Sequence, residues 1–245
     1  MPHTRSGSIR PESEEQVLAI FDKIAFRYDL LNRLLSLGLD QRWRRLLVSW
    51  LPQPLELHGT LVDIATGTGD VIFAAHKYRK DYAQFIGLDL SENMLQMARK
   101  KAGFTGWRGC TVEWLVGSAE HLPFEEGLAD VVTIAFGLRN VIDKQKALAE
   151  FVRIVRPGGS VIILELMPSE TSVLSTLFLK YFERILPKIG SLMSSRDAYE
   201  YLPKSVSGFY NFDQLHELAL GQGLMFKRRR CFAFGTCQLM EFVKR

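Results

Sequence analysis

Asp63-Ile64-Ala65-Thr66-Gly67-Thr68-Gly69-Asp70 brings together an acidic residue and two glycines, and a second acid, Asp89, lies 20 residues beyond Gly69. Glycines at 67 and 69, with Thr68 between them, allow a tight turn and a close backbone approach to a ligand. A purely structural turn could use the same two residues. Asp89 adds a functional marker, because a carboxylate at the end of the next strand can accept hydrogen bonds from both ribose hydroxyls of an adenosine. The third glycine of a pyrophosphate-binding loop falls here at Ile72, which disfavours a dinucleotide. Asp63 suits a ligand with a positively charged amino-acid tail, and S-adenosylmethionine is such a ligand. The other reading of Asp63 is a loop cap.

These residues need a parallel sheet to position them. From Leu61 to Met167 short apolar runs alternate with amphipathic stretches, which predicts βαβ units. Strands are predicted at Leu61–Ala65, Phe85–Asp89, Val112–Val116, Val131–Phe136 and Ser160–Leu166. A helix is predicted from near Asp143, with Leu148, Phe151, Val152 and Val155 as its core stripe, ending at Arg156-Pro157-Gly158-Gly159. Upstream, Glu12 to Leu51 reads as helical: Val17, Ile20, Phe21 and Ile24 make one face, and a further helix after Gly38 carries Trp43, Leu46, Leu47 and Trp50. Downstream come an apolar helix-like stretch from Val173 to Leu186, a helix around Phe212–Leu220, and two strands, Met225–Phe232 and Gln238–Val243. The predicted fold is therefore α/β, a doubly wound, mostly parallel seven-stranded sheet with an N-terminal helical extension and a C-terminal antiparallel strand pair. One domain is expected. Residues 1–11 form a flexible N-terminus, 12–58 a helical lid, 59–167 the cofactor-binding core, and 168–245 the substrate-side helices and final strands.

The loop resembles that of the class I methyltransferases, whose D/E-x-x-x-G-x-G motif matches Asp63, Gly67 and Gly69. The likeness continues in Asp89-Leu90-Ser91-Glu92-Asn93-Met94, where Ser91 can cap a helix, and in Gly117-Ser118-Ala119-Glu120-His121-Leu122-Pro123-Phe124. Ser118 stands where that motif often has Asp or Asn, so the backbone of Ser118 and Ala119 is expected to edge the adenine. Tyr28-Asp29-Leu30-Leu31-Asn32-Arg33, Phe136-Gly137-Leu138-Arg139-Asn140-Val141 and Tyr199-Glu200-Tyr201-Leu202-Pro203-Lys204-Ser205 resemble the C-methyltransferase family of ubiquinone and menaquinone biosynthesis. Within it the chain is most similar to cyanobacterial members that methylate demethylphylloquinone. Two departures stand out: Thr66 replaces a frequent glycine, and Ala135 a frequent serine.

The resemblance implies S-adenosyl-L-methionine as cofactor and a lipophilic prenylated quinol as substrate. An oxidised quinone is too electron-poor to accept a methyl cation, whereas an ionised quinol pushes density onto the adjacent carbon. Arg139, expected just past a central strand, could stabilise that oxyanion, and Asn140 beside it could orient a quinol oxygen or a water. The contrasting reading pairs Arg139 with a carboxylate such as Glu165. Tyr28 and Asn32, four apart on one helix face, could cap the cofactor site. His121 is read as a surface or capping residue.

Composition sets the outer limits. Hydrophobic residues at 47% and charged residues at 24% describe an ordinary globular chain. A net charge of +4, together with the missing D/N-P-P-Y/F motif after the fourth strand, argues against a nucleic-acid substrate. Other readings are a methyltransferase of another small molecule and a non-catalytic cofactor-binding subunit. Arg42, Arg44 and Arg45, and Lys227 to Arg230, read as solvated faces or as contacts to an anionic membrane. Cys110, Cys231 and Cys237 have no zinc or disulfide spacing, no metal is implied, and a cytoplasmic protein is expected, peripheral to the quinone-bearing membrane and open to homodimer formation.

Overall fold

The computed structural model describes residues 13–55, 58–168 and 204–245. The apolar stretch from Val173 to Leu186 and the segment Tyr199 to Pro203 lie outside those residues.

Seven strands form one sheet: β1 (Gly59–Ile64), β2 (Tyr82–Asp89), β3 (Thr111–Val116), β4 (Ala129–Ala135), β5 (Val155–Leu166), β6 (Leu224–Phe232) and β7 (Cys237–Lys244), in the order β3-β2-β1-β4-β5-β7-β6. β1 to β5 run parallel, while β7 is antiparallel to β5 and β6 antiparallel to β7. The doubly wound seven-stranded prediction is thus borne out, including the closing strand pair.

Continuous apolar strands follow from burial on both faces. Leu61, Phe85, Val131 and Ile162 pack on one side with α3 (Leu39–Trp50) and α4 (Asp70–Tyr78). Val62, Ile86, Val132 and Val161 pack on the other with α6 (Lys144–Ile154) and α7 (Phe212–Gly221). The period-two alternation assigns each residue its face. Ser91 caps α5 (Glu92–Ala102) by accepting from the Met94 amide at 3.1 Å, and Asp143 caps α6 by accepting from Lys146 at 2.9 Å. The N-terminal extension is α1 (Glu14–Ile24), a short 3-10 turn, α2 (Tyr28–Ser36) and α3, with left-handed Gly38 between the last two.

One boundary differs from the prediction. α6 ends at Ile154, and Val155 already belongs to β5, paired with Ala129, whereas Ser160 pairs with Val131. Arg156-Pro157-Gly158-Gly159 is therefore a bulge inside the strand instead of a helix-to-strand loop. A Cβ at Gly159 would meet the Asp130 carbonyl at 2.7 Å, so the glycine is required by the neighbouring strand.

The basic run on edge strand β6 is also more constrained than a solvated face. Lys227 and Arg228 pair with the buried Glu241 at 3.0 and 2.5 Å, and Arg228 and Arg229 lie 4.2 and 3.9 Å from the ring centroids of Trp50 and Phe212. Among the described residues no helix is long and apolar enough to cross a membrane, and no group of three His, Cys, Asp or Glu could hold a metal ion.

Candidate active site

Strand order reverses between β1 and β4, so their carboxyl ends open a crevice where sheets of this type place ligands. Two backbones turn sharply there. Ala65 follows β1 at φ +50° and Phe136 follows β4 at φ +60°, left-handed values that are uncommon for residues with a Cβ. The turns nearly touch: a Cβ at Gly137 would come within 2.5 Å of the Ala65 Cβ. Strained residues clustered at strand ends are characteristic of ligand clamps.

Asp63 lies buried in β1 and accepts hydrogen bonds from the Thr133 and Thr66 hydroxyls, both at 2.6 Å. It therefore braces the loop and also lines a cavity beneath it. Asp89 accepts from the backbone amides of Gly67 at 2.7 Å and Ser91 at 2.9 Å, tying the glycine loop to the next strand. Gly67 and Gly69 both have positive φ, +57° and +85°. Their reasons differ. Space beside Gly67 is bounded by the Tyr28 ring at 3.7 Å, at the cavity, whereas a Cβ at Gly69 would strike the Trp114 ring at 2.6 Å and Phe73 at 2.9 Å. Gly69 thus meets a packing requirement set by Trp114 of β3.

Two cavities meet at Tyr28, Ala65, Gly67 and Ala135, which line both. The larger, about 710 Å³ and open to solvent, has mostly apolar walls, with Asp89, Ala119 and Asn140 on it and Val17, Leu18 and Phe21 of α1 above. The smaller, about 300 Å³, is polar and includes Asp63, Thr68, Asp70 and Arg44.

The helical extension closes this site through acidic residues that sequence reasoning did not single out. Glu14 accepts from the Ser118 hydroxyl and Asp22 from the Ser91 hydroxyl, each at 2.5 Å. Asp29 accepts from Thr68 at 2.6 Å and pairs with Lys101 at 2.6 Å, while Lys101 also reaches Asp70 at 3.0 Å. A signal was present in the spacing, since Glu14, Leu18 and Asp22 follow at i, i+4 and i+8 and so lie along one side of α1, flanking its apolar stripe. Ser118 is engaged by the lid and by the Glu120 amide at 3.0 Å, and Ala119 is the one of the two that lines the larger cavity.

Tyr28 and Asn32 are hydrogen-bonded on α2, and burial is the main cause raising the Tyr28 hydroxyl above its usual pKa. Arg139 is ion-paired with buried Glu165 at 2.6 Å, with further bonds from its guanidinium to the Phe136 carbonyl at 2.6 Å and to Ser205 at 3.3 Å. Its backbone amide donates to Glu165 at 3.0 Å. The structure thus places Arg139 behind the cavity wall that Asn140 forms. His121 is exposed and contacts Lys146 on the surface.

The model of the ubiE/COQ5 methyltransferase family matches residues 10–244. The chain belongs to this family. A ubiquinone/menaquinone biosynthesis C-methyltransferase of Geobacter sp. (strain M21) is 41% identical over 203 residues, covering 82% of this chain and 85% of the relative. A demethylmenaquinone methyltransferase of Thermus thermophilus is 44% identical over 191 residues, covering 78% and 84%. Among solved structures, a geranyl diphosphate methyltransferase in complex with SAM superposes with a TM-score of 0.63 at 16% identity, covering 84% of this chain and 85% of that one. That likeness concerns the fold.

The ubiE/COQ5 family and fold imply S-adenosyl-L-methionine as cofactor, and the site fits it. Asp89 stands on the mostly apolar cavity, where it would meet an adenosine's ribose, and a polar cavity with Asp63 joins it at the glycine loop. Burial raises both carboxyls from the usual range to about 6; hydroxyls of Thr133 and Thr66 oppose the shift at Asp63, and the Ser91 and Gly67 amides oppose it at Asp89. A carboxyl titrating higher in the folded state than in the unfolded chain stabilises the fold at low pH. For Asp63 that contribution, about 3 kcal/mol, is lost as pH rises through about 6. A cationic ligand favours the ionised forms instead, so cofactor affinity is expected to be full above about pH 7 and to fall up to tenfold per pH unit below 6 for each acid. Calorimetric titration of S-adenosylmethionine between about pH 5 and 8 checks this, and a flat profile would contradict it.

Proposed function

We propose that this protein transfers a methyl group to a ring carbon of a reduced prenylated quinone, with demethylmenaquinol or demethylphylloquinol as acceptor. The observation that carries the reading is the pair Tyr28 and Asn140, polar groups on the wall of the mostly apolar cavity beside the glycine loop, where the methyl acceptor would lie. Membership of the ubiE/COQ5 family and the names of its relatives support a quinone acceptor. The phytyl-bearing naphthoquinol rests on the finer sequence likeness alone.

When bound, the cofactor supplies an electrophilic methyl group on a sulfonium. Asp89 and Asp63 would hold its two ends, each from one of the two cavities that join at the glycine loop. Such positioning can lower a barrier by roughly 7 to 11 kcal/mol. Tyr28, protonated at neutral pH like any tyrosine and held more firmly so by burial, serves as a hydrogen-bond donor toward a quinol oxygen gaining negative charge. Asn140, with its amide nitrogen 3.4 Å from the Phe136 carbonyl, orients the same oxygen or a water that takes its proton. Arg139 acts from behind, fixing the Phe136 to Asn140 turn and contributing a positive field. Glu14, Asp22 and Asp29 latch the lid that excludes water.

The deciding assay is transfer of labelled methyl to demethylated naphthoquinol and benzoquinol, each with and without reductant. Reductant-dependent methylation of the naphthoquinol is expected. Preference for the benzoquinol would move the acceptor to ubiquinone precursors, and cofactor binding without transfer to either would defeat the quinol reading.

A further inference from the structure

Arg44 belongs to a run of three arginines that reads in sequence as a solvated face, yet it is buried while Arg42 and Arg45 are exposed. Helical spacing explains this. Arg44 lies one and three residues from Trp43 and Leu47 on the face of α3 that packs against α4. Its guanidinium reaches under the glycine loop into the smaller cavity, 5.1 Å from the Phe136 ring centroid.

The charges around that cavity are uneven. Asp63 and Asp70 line it, and among the described residues Arg44 is the only cation that does. Nη1 of Arg44 pairs with Asp40 at 2.5 Å and lies 4.0 Å from Asp70. Asp40 is itself held by the Ser36 hydroxyl at 2.7 Å, so the contact fixes the guanidinium from behind. A small polar cavity lined by the Asp63 carboxyl, which has no ion pair with Arg44 among the described contacts, and by a fixed arginine suits a zwitterion, and a planar guanidinium fork matches a carboxylate in two parallel bonds. The N-terminus of α4, which opens at Asp70, adds partial positive charge on the same side.

We infer that Arg44 binds the α-carboxylate of the cofactor's amino-acid tail, opposite Asp63 on the ammonium side, and so selects tailed cofactors over thionucleosides that lack the tail. Asp40 is a positioning residue for it. This rests on the cofactor and is independent of which acceptor is methylated, so it can fail while the quinol reading stands, and the reverse.

Binding of S-adenosylhomocysteine and of 5′-methylthioadenosine, which lacks the amino-acid tail, provides the test by isothermal calorimetry on the full chain. Arg44→Met is expected to weaken S-adenosylhomocysteine about tenfold to a hundredfold, the range for a hydrogen-bonded charged group, and to leave methylthioadenosine unchanged. Arg44→Lys keeps the charge without the fork and is expected to lose part of the same preference. Asp40→Asn, which retains Arg44, is expected to keep most of the discrimination. Equal weakening of both ligands in the Arg44 variants would reduce the residue to a structural role and overturn the inference, as would no weakening of either. If Arg44→Met fails to fold, the ratio of the two affinities in Arg44→Lys decides: an unchanged ratio overturns the proposal.

Discussion

Replacing Asp89 with alanine is expected to weaken S-adenosylmethionine binding by more than about a hundredfold. Two losses combine. The amides of Gly67 and Ser91 lose their common acceptor, which loosens the glycine loop that the cofactor must find in place. The ribose hydroxyls lose a charged acceptor, whose hydrogen bonds are worth about 1.5 to 3 kcal/mol each. Asp89→Asn separates the terms, because its amide keeps one acceptor but turns a donor toward one of the two backbone N–H groups. That variant should fall between wild type and alanine. Titration with S-adenosylmethionine measures both, and an affinity within about threefold of wild type for Asp89→Ala would remove Asp89 from the cofactor site.

The second large effect concerns Glu165. Its carboxylate is fully buried and accepts from the Arg139 guanidinium at 2.6 Å, the Arg139 amide at 3.0 Å and the Leu166 amide at 2.7 Å. Glu165→Gln preserves the shape but breaks a buried ion pair by removing one of its charges, a change that typically costs about 3 to 5 kcal/mol. At about 2 to 4 °C per kcal/mol for a domain of this size, the melting temperature should fall by roughly 6 to 20 °C. Arg139→Met combined with Glu165→Gln replaces both members of the pair and should recover much of that stability. Activity distinguishes the roles of Arg139. If its cation supports the developing oxyanion, the double variant regains its melting temperature while its kcat stays about a hundredfold low. Recovery of both would make the pair a structural brace.

Sequence reasoning reached furthest where the determinants are local. Apolar runs of five to eight residues, glycines at 67 and 69 and the Ser91 cap each act within a few positions of the chain, so the parallel sheet and the cofactor loop were readable before any contact was known. The β5 boundary was not, because the bulge at Arg156 to Gly159 exists to keep register with β4. Gly69 carries a positive φ that fits a loop, but the bulk it must avoid is Trp114, brought beside it by the pairing of β3 with β2.

Charge pairing shows the same division. Arg139 and Glu165 are separated by 26 residues and meet because β4 and β5 lie side by side with Ala135 opposite Leu164. Glu14, Asp22 and Asp29 become part of the site only when the helical extension folds back across the ends of β1, β2 and β3. Arg44 is one of three neighbouring arginines until α3 docks on α4, and docking alone makes it the buried one. By itself, then, the amino-acid order determined the fold class, the cofactor loop and the resemblance to the family, through spacings that each residue's near neighbours enforce. Only the tertiary structure decided which charges are buried, which are paired and which line the cavities, because those outcomes depend on strand register and helix docking between segments far apart in the chain.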